Sequence, residues 1–566
     1  MYRHPTAHGP HCCGLAANVP LTLESEDRSK DLAEAGARPS RLRRIGARLW
    51  RGAPRSALAA LCGIALALSF PSAGIWPLSV LAVAGLSLLT YGRTARQGAW
   101  TGFVFGLVFM LWLLLWIDVI GYDAWALLSV AEAAFLALMG AGLAVVSRVR
   151  FWPLWTACLW VAQEWARDRV PLGGFPWGRL AFANTSSPFT PLAALGGAPL
   201  VSFAVALSGA LLAAVVLALR TREGRARSTR LAAACGVGAV AAGLVGYAIP
   251  LPTAGTTAGG PASAQIAVIQ GNVPHAGMDF LGRPMQVLQN HVQATVALMA
   301  EVEAGKAPRP QLVIWPENSS DVNPYTTPEA YGAIQAAAQL TGVPMLVGAL
   351  VDGPDAQHVL NEGIVWDPVK GPGAHYTKQH PVPFGEYVPF RSILMKYITR
   401  LQRVARDFYP GDKTGILQVG PARIGDVICF EVAYDGIVHD AVAKGGRVIV
   451  VQTNNATYEH TDQPDQQFAM SRLRAIEHGR AVVIAATSGI SAVIAPDGSV
   501  VARTRLATQA ELDVKVPLRD GLTLADRLGA GPEWALSFVG LGAVAFAVWT
   551  GSAVWTRRRK RAGTPA

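Results

Sequence analysis

Four side chains in the C-terminal half carry groups that can do chemistry, and each stands at or near the end of a strand-like run. Glu317 closes Val313-Ile314-Trp315-Pro316-Glu317, where a buried strand meets a proline and delivers a carboxylate. Lys378 follows Tyr376-Thr377 in a chain that uses arginine far more than lysine. Glu386 lies in Pro383-Phe384-Gly385-Glu386-Tyr387-Val388-Pro389, whose prolines fix the backbone. Cys429 ends Asp426-Val427-Ile428. A thiol is mostly protonated near neutral pH, so a cysteine nucleophile needs a base, and Glu317 can serve. Attack on a carbonyl makes an oxyanion, which Lys378 and a backbone N–H after Cys429 can stabilise, with Glu386 orienting Lys378 and holding it charged. Spacing alone leaves the blander readings open: a solvated loop acid at Glu317 and an inert core thiol at Cys429.

The elements that must position these groups come in two kinds. The chain has 566 residues, 51% hydrophobic and only 15% charged, with a mean hydropathy of +0.30. An ordinary soluble protein is about a quarter charged, so a wholly soluble or disordered chain is excluded. Apolar runs near the length of a bilayer span occupy 56–70, 75–91, 98–120, 124–147, 151–166, 200–219 and 231–249, and an eighth, 534–555, stands apart. The excess of 49 Lys+Arg over 38 Asp+Glu gathers in every second loop: Arg41 to Arg55, Arg93 and Arg96, Arg148 and Arg150, Arg220 to Arg230, and Arg557 to Arg561. This is the pattern of membrane orientation, not of a nucleic-acid footprint. It predicts both termini in the cytoplasm and the stretch between the seventh and eighth runs outside it.

That stretch changes character. Short β-branched runs at 265–269, 312–315, 344–347, 363–366, 426–428, 447–451, 481–485 and 491–494 alternate with helical patterns at Leu288, Val292, Val296 and Met299, at 328–340 and at 467–478, the last closed by Gly479. Alternation of this kind predicts a layered α/β domain. The organisation is then a polar, disordered cytoplasmic tail at 1–54, seven transmembrane helices in 55–250, an extracytoplasmic catalytic domain at 251–531, an eighth transmembrane helix at 532–555 and a basic tail at 556–566. His8, His11, Cys12 and Cys13 lack the paired spacing of a zinc site. Cys429 has no local disulfide partner.

Trp315-Pro316-Glu317, Lys378 with Pro383-Phe384-Gly385-Glu386-Tyr387, and Cys429-Phe430-Glu431 resemble the Glu, Lys and Cys motifs of the nitrilase (carbon–nitrogen hydrolase) superfamily. Set between seven spans and one, they are similar to one family of it in particular, the apolipoprotein N-acyltransferases. Further matches are Gln270-Gly271-Asn272-Val273-Pro274, Gly174-Phe175-Pro176-Trp177, Thr453-Asn454-Asn455-Ala456 and Arg472 to Arg480. The resemblance implies an αββα sandwich, a Glu317, Lys378 and Cys429 triad with Glu386 as a fourth acid, and substrate contacts at Glu431, Phe430, Asn455 and Tyr458. It implies a membrane phospholipid as acyl donor, a diacylglyceryl-modified apolipoprotein as acceptor, surrounding membrane lipids, no nucleic acid, no cofactor or metal, and a monomer. The chain departs from the family at Phe430, where Tyr is common, at Met278, Asp279 and Phe280, where Trp is common, and at Thr457. These departures bear on acyl-donor preference.

Two further features stand beside this. From Arg391 to Arg406, Ile393, Leu394, Met395, Tyr397, Ile398, Leu401 and Val404 interleave with basic residues, which predicts either an interfacial helix or a packed helix with a basic face. Glu132 lies deep in the fourth run and needs a partner inside the bundle. The rival readings are a membrane-tethered amidase that uses water as acceptor, and a transporter or sensor whose α/β domain only binds ligand.

Overall fold

The apolar runs of the first half are helices. In the computed structural model, which describes residues 41–220, 225–275 and 285–562, they are α1 (Arg41–Ala67), α2 (Pro77–Thr90), α3 (Ala95–Leu113), α4 (Tyr122–Val146), α5 (Trp152–Arg167), α6 (Ala193–Arg220) and α7 (Arg225–Leu244). The tail to residue 40, with His8 to Cys13, and the stretch holding Met278, Asp279 and Phe280 lie outside the described residues. Local chemistry sets the ends: Thr94 and Gln97 form a reciprocal cap at the start of α3, and Pro77 opens α2. The third run does not continue as one helix to 120 but passes into a 3-10 turn, Leu115–Val119. Among the described residues, four segments are long and apolar enough to cross a membrane: Tyr122–Val146, Thr190–Arg220, Thr229–Ala248 and Gly531–Gly551. Glu132 finds its partner on α5: Arg167 donates to it at 2.8 Å and also to the carbonyl of Trp177 at 2.9 Å.

The second half is built of β1 (Ser263–Gln270), α8 (Gln286–Glu303), β2 (Leu312–Ile314), α9 (Pro328–Thr341), β3 (Met345–Asp352), β4 (His358–Asp367), β5 (Gly371–Thr377), β6 (Asp407–Phe408), β7 (Ile416–Val419), β8 (Ala422–Ile428), α10 (Asp435–Ala443), β9 (Val448–Thr453), α11 (Gln463–His478), β10 (Val482–Ala486), β11 (Ala492–Ile494), β12 (Val500–Arg503) and β13 (Ala510–Pro517), before α12 (Gly531–Ala562). The strands form two sheets, one of order β13-β1-β2-β3-β4-β5 with β6 beside β4, the other of order β12-β11-β10-β9-β8-β7. Side-chain alternation decides the layers. Ile266, Val268, Leu312 and Ile314 of one sheet meet Ile424, Ile428, Val448 and Val450 of the other. Their neighbours Ala267, Ile269, Val313 and Trp315 pack on α8 and α9. Val427, Ile449, Val451 and Ile484 pack on the α10 and α11 side. The strands that hold both hydrophobic sets are apolar on both faces, which is why they read as continuous runs. The result is the four-layer αββα order.

The core on the α11 side continues into the helical region. Leu473 and Ile476 of α11 belong to one apolar cluster with Phe182, Leu192, Val201 and Val205, and residues from Arg55 onward form one compact unit.

Several elements depart from the periodic reading. β5 has no β-branched run: Gly371-Pro372-Gly373-Ala374-His375-Tyr376-Thr377 sits at a sheet edge, where proline costs no ladder bond. The 391–406 segment is not one amphipathic helix. It holds a four-residue helix, Arg391–Leu394, and a 3-10 turn, Thr399–Arg403, because its arginines are drawn to different elements. Arg391 pairs with Asp407 at 2.5 Å, Arg406 with Asp352 at 2.8 Å, and Arg400 with Asp123 at the start of α4.

Removing one member of a buried ion pair strands the other. Arg167→Met is therefore expected to destabilise the protein by about 3–5 kcal/mol, read from denaturation of the full chain in detergent. The double variant with Glu132→Leu is expected to depart from the sum of the single effects by about 0.5–3 kcal/mol. Strict additivity would mean that the two side chains are not coupled.

Candidate active site

Cys429 sits directly at the end of β8, as the first residue of a 3-10 turn, Cys429–Ala433, with φ of 58°. A non-glycine residue in the left-handed region needs the surrounding structure to hold it there. Glu431 does so. Its carboxylate accepts from the backbone N–H of Ile428 at 2.7 Å, from those of Gln379 at 2.6 Å and His380 at 3.1 Å, and from the hydroxyl of Tyr376 at 2.9 Å. Both oxygens are thus engaged by protein donors. Glu431 is a strut between the Cys429 turn and the end of β5, not the free substrate contact suggested by its motif.

The same strut presents Lys378. Its ammonium is 1% exposed and lies 2.5 Å from Glu386 Oε1 and 3.3 Å from Glu317 Oε1. Burial opposes the charge, but Glu317 and then Glu386 hold the Lys378 pKa well above the ordinary lysine value. Glu386 accepts on its other oxygen from the N–H of Val382 at 2.8 Å, inside the proline-bounded turn. Burial lifts Glu386 above the usual carboxylate range against the pull of Lys378, and Glu317 adds to the rise. Glu317 is fixed from both sides: Asn361 donates to Oε1 at 2.7 Å and the backbone N–H of Asn454 to Oε2 at 2.7 Å. The Cys429 thiol is pushed up to about 12, by burial first and by Glu317 second, against Lys378 and a hydrogen bond with Thr453.

The structure therefore brings Glu317, Lys378, Glu386 and Cys429 into one centre. Phe430 and Tyr458 join it as walls. Phe430 stacks on Trp177 at 5.4 Å with an interplanar angle of 3° and on Phe175 at 5.6 Å. Tyr458 meets Trp116 edge to face at 5.0 Å. Phe175 and Trp177 come from the loop after α5, so the helical region supplies an aromatic floor beneath the thiol. Asn455 does not face the centre: its amide donates into α11, to Gln463 at 2.8 Å and Gln467 at 2.7 Å.

Two positioning groups escape sequence reading. Asn361 lies on β4 just before the stretch with strand-like composition, and its carbonyl also accepts from the N–H of Lys378 at 2.9 Å. Arg179, 1% exposed, reaches from the floor loop to Asp435 at 2.8 Å, which Arg474 of α11 also holds at 2.7 Å. Their only signal is a polar side chain, neutral at Asn361 and charged at Arg179, beside apolar neighbours. Among the described residues no group of three or more His, Cys, Asp or Glu side chains is arranged to hold a metal. The centre has the parts for acyl transfer through a thioester: a thiol, a fixed carboxylate, a trapped cation and an apolar floor.

Comparison with known proteins agrees with this construction. The family described as apolipoprotein N-acyltransferase N-terminal domain matches residues 62–211, and the carbon-nitrogen hydrolase family matches residues 265–519. The apolipoprotein N-acyltransferase of Mycolicibacterium smegmatis is 40% identical over 93% of this chain and 92% of its own. That of Geobacter metallireducens is 29% identical over 84% of this chain and 92% of its own. An amidase from Nesterenkonia sp., known from a crystal structure, matches 48% of this chain and 97% of its own at 19% identity and a TM-score of 0.34. With a carbon–nitrogen hydrolase sandwich joined to a helical apolar region, and with identity running through both, this chain belongs to the apolipoprotein N-acyltransferase family.

Proposed function

We propose that the chain transfers a fatty acyl group from a membrane phospholipid to the α-amine of the N-terminal diacylglyceryl-cysteine of an apolipoprotein, leaving a triacylated lipoprotein. The observation that carries this reading is the Cys429 thiol, held beside Glu317 and Lys378 and floored by aromatic rings from the apolar region. Glu317 takes the thiol proton as sulfur attacks the ester carbonyl. Lys378 stabilises the oxyanion, with its charge secured by Glu386. The carbon–oxygen bond then breaks, the lysophospholipid alkoxide takes the proton from Glu317, and the acyl group stays on sulfur. In the second half the amine attacks the thioester, Glu317 accepts its proton, and the thiolate leaves and is reprotonated. Phe430 and Tyr458 face the acyl chain, while Glu431 and Asn455 act on substrate only through the groups they place.

The membrane setting follows the same reading. Helices α1–α7 and α12 cross the bilayer, both termini are cytoplasmic and the sandwich is extracytoplasmic, supported by the basic residues gathered in alternate loops.

The direct test is intact-protein mass spectrometry of the purified protein given phosphatidylethanolamine with a labelled acyl chain and no acceptor. The expected result is one acyl adduct on Cys429 that hydroxylamine removes and that Cys429→Ser lacks. Release of labelled fatty acid to water at the turnover rate, with no transfer to an added diacylglyceryl-cysteine peptide, would favour an amidase-like hydrolase instead. Cys429→Ala is expected to abolish transfer with folded protein, and Lys378→Met, which strands Glu317 and Glu386, to lower it about 10²–10³-fold per folded molecule; near wild-type transfer by either would remove its assigned role. Because the thiol is raised, it is neutral at rest, and its thiolate fraction grows as pH rises toward about 12. Carboxamidomethylation of Cys429, followed by peptide mass, is expected to accelerate about tenfold per pH unit between about pH 8 and 10. A plateau in that interval would mean a resting thiolate.

A further inference from the structure

Asp426 lies on β8, three residues before Cys429, and its side chain points between the two sheets with 0% exposure. Gln452 lies on the neighbouring β9, opposite Ile428, and is equally buried. The Gln452 amide nitrogen donates to the carbonyl of Trp315 at 2.5 Å, on the other sheet and two residues before Glu317. That contact fixes which end of the amide is which, since the reversed amide would press two oxygens together at 2.5 Å. Gln452 Oε1 must therefore face the opposite way, where no donor among the described residues meets it, and neither oxygen of Asp426 has one.

These oxygens crowd the same space. A Cβ built on Gly363 of β4 would stand 2.3 Å from Asp426 Oδ2 and 2.5 Å from Gln452 Oε1, so the absence of a side chain there is what admits both. Two buried acceptors that flank one such point repel unless a proton lies between them, and of the two groups only the carboxyl can carry one. We propose that Asp426 is a neutral carboxylic acid that donates its proton to Gln452, and that the resulting relay is a positioning device tying the nucleophile's strand to the base's strand. The relay runs from the Asp426 O–H to the Gln452 carbonyl, and from the Gln452 N–H to the Trp315 carbonyl. One end lies in the strand that ends at Cys429, the other just before the turn that presents Glu317. Burial, and then the charge of Glu431, raise the carboxyl well above the ordinary range, in keeping with a retained proton.

The test uses the full-length protein in detergent. In the infrared difference between wild type and Asp426→Asn at neutral pH, a protonated-carboxyl C=O band is expected in the wild type and lost in the variant. The Asn amide can donate where the acid did, so Asp426→Asn is expected to form the Cys429 thioester within about threefold of the wild-type rate. Asp426→Leu leaves Gln452 Oε1 without a donor and is expected to slow it about 10²-fold at unchanged KM for phospholipid. Absence of the band, or an Asn variant as slow as the Leu variant, would overturn the proposal. The band and the Asn variant decide the matter even where the Leu variant unfolds. The kinetic arm rests on the acyl-transfer reading and the infrared arm does not: no thioester in the wild type sinks that reading, and no band sinks this one.

Discussion

The centre depends on one ammonium held away from water between two carboxylates. Burying Lys378 is unfavourable by itself, and so is burying Glu317 or Glu386; the three are tolerable only together and only at close range. That requirement dictates much of what surrounds them. The proline-bounded turn exists to bring Glu386 back to Lys378, and the Val382 N–H takes the oxygen that the lysine leaves. For Glu317 the Asn454 N–H takes the oxygen that the lysine leaves, and Asn361 shares the other with Lys378. The carboxylate that faces the thiol is thus held at a defined place and angle before any substrate arrives, which is what a base must be if it is to act without reorganising.

Around this trio the protein repeats a single device: a polar side chain that ties separate elements together. Glu431 joins the Cys429 turn to the end of β5. Asp435, gripped by Arg179 and Arg474, joins the start of α10 to the floor loop. The loop's Trp177 is itself held by Gln466 of α11 at 2.6 Å and through its carbonyl by Arg167. The floor loop is thus held at two points by α11, through Arg474 and Asp435 and through Gln466 and Trp177. A floor placed by the apolar region and a cysteine placed by the sandwich are kept in one frame.

Much of this was legible in the amino-acid order. Strands buried on both faces announce themselves by β-branched runs, and those runs end at Glu317, at Cys429 and near Asn454, so the chemistry-bearing positions could be named without coordinates. Helix limits at Pro328, Gly342 and Gly479 carry their own local signals. What could not be read was whatever long-range contact decides. β5 has the composition of a loop and is a strand because β4 offers it an edge. The 391–406 segment has the periodicity of a helix and is broken by ion pairs that draw its arginines to Asp123, Asp352 and Asp407 on three different elements. Glu431 looks like a ligand in its motif, and only the folded backbone shows that its oxygens are already occupied.

The apolar cluster that runs without interruption from Ala59 to Ile494 has a consequence for how the molecule can be taken apart. The α11 side of the sandwich is not a finished surface; its covering is the helical region. The two halves are then not modules in the sense of parts that can be exchanged, expressed separately or lost one at a time. A free-standing sandwich would need a polar skin where this chain has Phe182, Leu192 and Val201 against α11, and making one would mean rewriting the face, not cutting a linker. Attachment to the membrane is in this sense an internal property of the enzyme's core.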